Sequence, residues 1–274
     1  LMRQSRKQLN TFRQGRVSAR AEARRQIVIR NNLEKRFYKR LNTLFRKFAN
    51  VQLYLFTEFG IYEPDIAQRA LSEDLFPLML SHYKRVFQAI YRSNEDKYDM
   101  NRKADAEAFV FGRSVDFESV VNTYFASRTL ILEGISGRMA QRISNIIELG
   151  RADNLTLQQI AALVTKKFRQ ISRTRAALIS RTETHNAAST ANHSYHATLA
   201  ADIDVKMLKQ WVATSDARTR SAHSAANGQT VDMSEDFIIG GSPMQFAGDS
   251  KGGARNVINC RCVIVYVDEN DSIS

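Results

Sequence analysis

Cysteine and proline are scarce in this 274-residue chain, with two of the first and three of the second. So few cysteines exclude a disulfide-built scaffold and fit synthesis in a reducing cytoplasm. With so few prolines, and half of the twelve glycines falling between Gly228 and Gly253, the long N-terminal part is free to be mostly helical. No apolar run approaches the roughly 18 residues of a membrane-spanning helix, and no hydrophobic stretch follows the basic start as a secretory signal requires. Acidic side chains are nearly missing from residues 1–50, which hold Glu22 and Glu34 against 15 Lys and Arg. The remainder has 25 basic and 26 acidic residues.

The net charge of +12 therefore sits in one N-terminal arm on a near-neutral body. Such an arm is drawn to polyanions, with an affinity that falls steeply as salt rises. Arg3, Arg6, Lys7, Arg13, Arg16, Arg20, Arg24 and Arg25 are the candidate DNA contacts. The competing reading is a solvated basic face on a helix that packs against another protein. Leu1 ahead of Met2 reads as a chain cut from something longer.

Apolar periodicity predicts an α+β protein: a mostly helical N-terminal body with long amphipathic helices, then a small C-terminal α+β module. The expected division is a basic helical docking arm over 1–100, a helical body over 101–204 and the module over 205–274. Ile29, Leu33, Phe37, Leu41, Leu44, Phe48, Val51, Leu55 and Phe59 recur every three or four positions. That stripe predicts one long helix closed by Gly60 and Pro64. Arg30, Lys35, Arg36, Lys39, Arg40, Arg46 and Lys47 fall on its other sides, and Leu33, Phe37, Leu41, Leu44 and Phe48 are the candidate partner-docking stripe. A second helix is expected over 75–92. A third, over 116–149, has Gly134 and Gly137 as points of bending and Gly150 as its end. Thr156-Leu157-Gln158-Gln159 has the form of a capping box. A break near Ser172 would separate the helix it starts from another over 174–200, where His185, Ser189, Asn192 and His196 share one face. Glu183 is a candidate ion-pair partner for Arg218 or Arg220.

The module gathers the scarce residues: Trp211, Asp216, Arg218, Thr219, His223, Asn227-Gly228 and Asn259-Cys260-Arg261-Cys262, among them the one Trp and both Cys. A strand over 205–213 turns Met207, Lys209 and Trp211 to one side, and a buried strand over 263–267 closes the chain. Cys260 and Cys262 stand two apart at the mouth of that strand, so their side chains share a face. The favoured role for them is packing as small apolar groups, with no cofactor required. If zinc binds, His223, Cys260 and Cys262 supply three ligands, and Asp216 or His185 the fourth. A metal-assisted hydrolase or nuclease centred on His223, Cys260 and Cys262 is the alternative function, although no nucleophile motif surrounds them.

In order along the chain, Arg181-Thr182-Glu183, Trp211, Asp216-x-Arg218-Thr219, His223, Gly228, Phe237, Pro243 and Asn259-Cys260-Arg261-Cys262 resemble the phage head morphogenesis family. These are the Mu-F-like minor head proteins of tailed bacteriophages, and the resemblance covers about residues 115–270. It implies a minor capsid component made in the host cytoplasm and carried in the virion, inside the head near the portal vertex. The implied partners are the portal protein, packaged double-stranded DNA and a major capsid or scaffold protein, with no membrane. Head assembly, DNA packaging or DNA ejection is the implied work, without an established enzymatic activity. Arg181, Glu183, Trp211, Asp216, Arg218, His223, Gly228, Asn259, Cys260 and Cys262 are its structural motif residues. A fusion of this domain behind a portal protein stays open.

Overall fold

The computed structural model describes residues 18–99, 117–203, 206–214 and 216–268. The candidate contacts Arg3, Arg6, Lys7, Arg13 and Arg16 lie outside them. Four long helices come first: α1 (Ala19–Phe59), α2 (Pro64–Asp99), α3 (Phe117–Ala152) and α4 (Leu157–Ile203). A small module follows, of β1 (Met207–Val212), α5 (Ser221–Ala225), β2 (Thr230–Asp232), β3 (Phe237–Ile239), β4 (Ser242–Met244), a single 3-10 turn (Ser250–Gly252), α6 (Gly253–Val257) and β5 (Val263–Asp268). The α+β class and the order of a helical body before a small module are as expected.

The helices are longer and less interrupted than the sequence suggested. Pro64 opens α2 at its first position, where a missing N–H costs nothing, and the helix then accommodates Pro77. Gly134 and Gly137 do not divide α3, and Gly150 lies inside it, buried. A Cβ on Gly150 would meet Ile160 Cγ1 at 2.7 Å, so this glycine is required by the close approach of α4 and not by a helix end. The break expected at Ser172 is absent: α4 runs 47 residues, with Ser172 bonding back to the Arg169 carbonyl. Its capping box forms as read, Thr156 N donating to Gln159 Oε1 at 2.8 Å and Gln159 N to Thr156 Oγ1 at 3.3 Å.

The chain separates into two compact units, and neither is a contiguous stretch. One comprises Glu34–Lys84 and Glu118–Arg181 and is wholly helical. Its core joins Phe37, Leu41, Phe45, Phe48 and Phe56 of α1 to Leu71, Leu75 and Met79 of α2, and to Ile135, Met139, Ile143, Val164 and Phe168 of α3 and α4. Phe37 stacks on His82 with centroids 3.7 Å apart. Three residues of the expected docking stripe, Phe37, Leu41 and Phe48, are therefore core of this chain itself and not a free surface. The stripe also has the wrong register toward its end. Phe45 and Phe56 are fully buried, whereas Val51, Leu55 and Phe59 are exposed.

The other unit comprises Leu1–Leu33, Arg85–Phe117 and Thr182–Ser274. Its three-stranded sheet has the order β2-β1-β5, antiparallel throughout, with Trp211 opposite Ile264 and Lys209 opposite Tyr266. The β3–β4 hairpin forms a separate two-stranded sheet, with Phe237 opposite Met244. Met207, Lys209 and Trp211 are all buried on one face of β1, as the alternation predicted, and Val263–Val267 are buried without alternation.

The corrected register of α1 is directly testable. Phe45→Ala should cost about 3–5 kcal/mol in urea-induced unfolding. Phe59→Ser, 68% exposed in the wild type, should change stability by less than about 0.5 kcal/mol.

Candidate functional site

Asn259 has φ of 60°, the left-handed region that Asn tolerates better than other side-chain-bearing residues. Its N–H donates to Thr182 Oγ1 at 3.2 Å, and Cys260 N donates to the Val257 carbonyl at 3.1 Å. The chain is thereby turned from α6 into β5 with Cys260 and Cys262 facing inward. Opposite them, the short α5 presents His223. Its Nδ1 lies 3.6 Å from Cys260 Sγ and 3.4 Å from Cys262 Sγ, and all three side chains are 1–2% exposed. Both cysteines are free thiols. The Cys260 thiol beside it, and then His223, pull the Cys262 thiol down to about 5 against the opposing effect of burial. The same contact with Cys262, with burial, pushes Cys260 well up. Trp211 closes the cluster edge-on, its ring 5.5 Å from that of His223 and 5.5 Å from that of Phe237.

A polar surround holds this cluster. Arg261 grips Asp216 through both guanidinium nitrogens, at 2.5 and 2.8 Å, and this fork holds the Asp216 carboxyl well below the usual carboxylate range. Arg218 pairs with the same carboxylate at 3.3 Å, and Arg220 donates to the Ile258 carbonyl. These are different engagements for the two arginines from the expected pairing with Glu183, which is buried. Arg181 pairs with Glu34 at 3.2 Å within the helical unit. Gly228 turns the chain at φ 84°, and the neighbouring Asn227 Oδ1 accepts from Ala213 N.

Sequence reasoning missed Arg30, placed on the solvent side of α1. It is 6% exposed, with Nη1 2.7 Å from His185 Nδ1 and Nη2 donating to the Arg261 carbonyl at 3.1 Å. The available signal was its spacing, seven residues before Phe37 on the buried face. Burial, then Arg30 and His223, drive His185 far below the usual imidazole range. Gly248 was also missed. It sits at φ 94°, and a Cβ there would lie 2.6 Å from Asn186 Oδ1 and 3.1 Å from His185 Cδ2, so no other residue fits. Lys209, buried on β1, gives its ammonium to Gln245 at 3.0 and 2.8 Å, and burial draws it down to about 8.

The shared face of α4 is largely a satisfied seam. Asn192 accepts from Asn94 and donates to the Ile264 carbonyl. His196 donates from Nδ1 to the Asn192 carbonyl at 2.8 Å and stacks on Tyr266 at 4.4 Å. Of the described DNA candidates, Arg20 and Arg24 are exposed. Arg25 is committed to Glu22, Ser93 and Asn94 within the fold.

Residues 141–265 match the family model described as Phage Mu protein F like protein, a span that contains the whole His223–Cys260–Cys262 cluster. The chain is 28% identical over 254 residues to the minor head protein GP7 of Bacillus phage SPP1, covering 84% of this chain and 77% of that protein. It is 31% identical over 134 residues to the NAD(+)--arginine ADP-ribosyltransferase EFV of Enterococcus faecalis, covering 47% of this chain and 26% of that protein. No solved structure matches the chain.

The buried histidines set a pH dependence. Burial lowers His193 to about 4 and His196 to about 3, while the unfolded chain takes up these protons near pH 6.5. Their contribution is thus complete above 6.5 and is lost as pH falls toward 4, by about 1.4 kcal/mol per unit for each ring. Unfolding midpoints measured from pH 7.5 to 4.5 should fall steadily. His196→Phe, which keeps a ring against Tyr266, should flatten that fall by about one proton's worth. Equal slopes in the two proteins would show that His196 is not the titrating group.

Proposed function

We propose, because residues 141–265 match the phage Mu protein F like family model and most of the chain is similar to a minor head protein, that this chain is a minor head protein of a tailed phage acting in head morphogenesis. The observation that carries this reading is the extent of the likeness to a minor head protein, 84% of this chain and 77% of the relative, which reaches well beyond the C-terminal module. The finer reading puts the protein in the virion, inside the head at the portal vertex, in contact with the portal protein and packaged DNA and working in packaging or ejection. Major capsid or scaffold protein is a further partner of the same kind. No helix among the described residues is long and apolar enough to cross a membrane.

Two features of α1 support the partners. Lys35, Arg36, Lys39, Arg46 and Lys47 are exposed along it, giving packaged DNA a cationic face beyond the N-terminal arm. Val51, Tyr54, Leu55 and Phe59 form an exposed apolar ridge at its far end, near Ile61 and Ile66 in sequence, all 40–68% exposed. Exposed apolar patches of this kind mark protein contacts, and this ridge takes the docking role that Phe37, Leu41 and Phe48 cannot. The transferase activity in the second relative's name is that of a protein of which this chain spans 26%, and it is not carried over. A hydrolase or nuclease centred on His223, Cys260 and Cys262 is disfavoured because their side chains are 1–2% exposed, leaving substrate no approach.

Removal of residues 1–50 would strip core residues, so smaller changes are the sound test. Replacing Lys35, Arg36, Lys39 and Arg46 with Gln should lower the slope of log affinity for duplex DNA against log salt, by about one for each phosphate-binding cation removed. Removing residues 1–17 should lower it again. If both proteins bind DNA as the wild type does, the basic face and arm do not bind it. For the ridge, a Tyr54→Asp, Phe59→Asp double variant should fold normally yet fail to co-purify with the cognate portal protein. Retained co-purification would assign the portal interface elsewhere.

A further inference from the structure

We propose that His223, Cys260 and Cys262 form a zinc site that ties α5 to the mouth of β5. The three ligand atoms are buried and all lie within 4.8 Å of one another. Around one zinc ion, with bonds of about 2.3 Å to sulfur and about 2.05 Å to nitrogen, tetrahedral corners stand about 3.5 Å apart for nitrogen and sulfur. The measured separations of 3.6 and 3.4 Å match that edge. Two sulfurs converge on one ring nitrogen, which has a single proton or a single lone pair to offer them. A cation at the centre engages all three atoms together, and two thiolates neutralise its charge. Cysteines serving only as small apolar fillers have no reason to aim both sulfurs at one imidazole nitrogen.

The two fourth ligands considered from sequence do not serve. Asp216 has both oxygens in the Arg261 fork and stands outside the cluster. His185 accepts from the Arg30 guanidinium at Nδ1, which leaves its proton on Nε2 and no lone pair there to give. The fourth position falls to a solvent oxygen, as in zinc sites with three protein ligands. Binding expels the thiol protons as the Zn–S bonds form. The ligands lie 37 and 39 residues apart in sequence, so the ion closes most of the module into one loop. A module with so small a core gains stability from such a tie. The zinc site stands or falls independently of the proposed head role, because metal binding is measured on the isolated protein and not on assembly.

The test uses the full chain, purified under reducing conditions without a metal-affinity tag. Elemental analysis should return about one zinc per chain. Chelation should lower the unfolding midpoint by about 5 °C or more. Cobalt added to the stripped protein should give thiolate-to-cobalt charge-transfer absorption and the intense visible bands of a tetrahedral ion. Cys260→Ser, Cys262→Ser and His223→Gln should each abolish or shift those bands. The cobalt titration of the wild type needs no variant, so a misfolded mutant does not spoil the test. Less than about a tenth of an equivalent of metal, with no charge-transfer band on adding cobalt to the folded reduced protein, would overturn the proposal in favour of a hydrogen-bonded thiol–imidazole knot. Cobalt spectra unchanged in all three variants, with their folds intact, would overturn it equally by placing the ion elsewhere.

Discussion

The last strand, β5, pairs with β1 on one side, and among the described residues no strand covers the other. Its backbone is nonetheless buried, and a buried carbonyl without a partner costs more than a typical hydrogen bond returns. Side chains from distant parts of the chain meet that requirement. Gln26 and Asn192 both donate to the Ile264 carbonyl, and Arg30 and Thr214 both donate to that of Arg261. Thr182 receives the Asn259 amide. The strand at Ile264, and the turn through Asn259 and Arg261 that leads into it, are therefore held largely by helical side chains, and this accounts for polar residues buried in α1 and α4. It also explains why seven successive residues, Thr182–Ala188, are buried on a helix: those roughly two turns lie inside their unit on every side.

From this constraint the residues from Trp211 to Cys262 read as a set of local solutions. Asn259 supplies the left-handed turn, Arg261 fixes the Asp216 loop, and Trp211 fills the space between His223 and Phe237. His185 and Asn186 leave room for nothing but a glycine at 248. Each of these positions is specified by sterics or hydrogen bonding before any chemistry is asked of it. That is why His223, Cys260 and Cys262, which in an open cleft would suggest catalysis, here lie beneath the surface, while Asp216 and Arg218 stay exposed around them.

Much of this was legible in the sequence where one physical signal dominated. The capping box at Thr156, the alternation of Met207, Lys209 and Trp211, and the two-apart cysteines facing one partner each followed from a local rule. What failed was whatever depended on a neighbour. Ser172 and the α3 glycines look like interruptions until tertiary contacts override propensity, and Gly150 makes sense only against Ile160. The apolar spacing of α1 allowed two registers, and only packing shows that Phe45 and Phe56 are inside while Leu55 and Phe59 are out. Arg30 was misplaced because a charged residue on a buried face is rare unless paired, and its partner His185 is 155 residues away.

Burial of the His223 cluster also bears on where this protein meets others. Side chains with 1–2% exposure, such as those of the His223 cluster, offer a partner no recognition surface. A head protein and a transferase, both similar to this chain, differ in what their names say they do. A module whose His223, Cys260, Cys262 and Trp211 side chains point inward is compatible with both, because the rest of its surface is free to differ. Surfaces open to a partner lie instead on the outside of the helices. The basic face and apolar ridge of α1 are of that kind, since neither is needed to fill the core on which the fold depends.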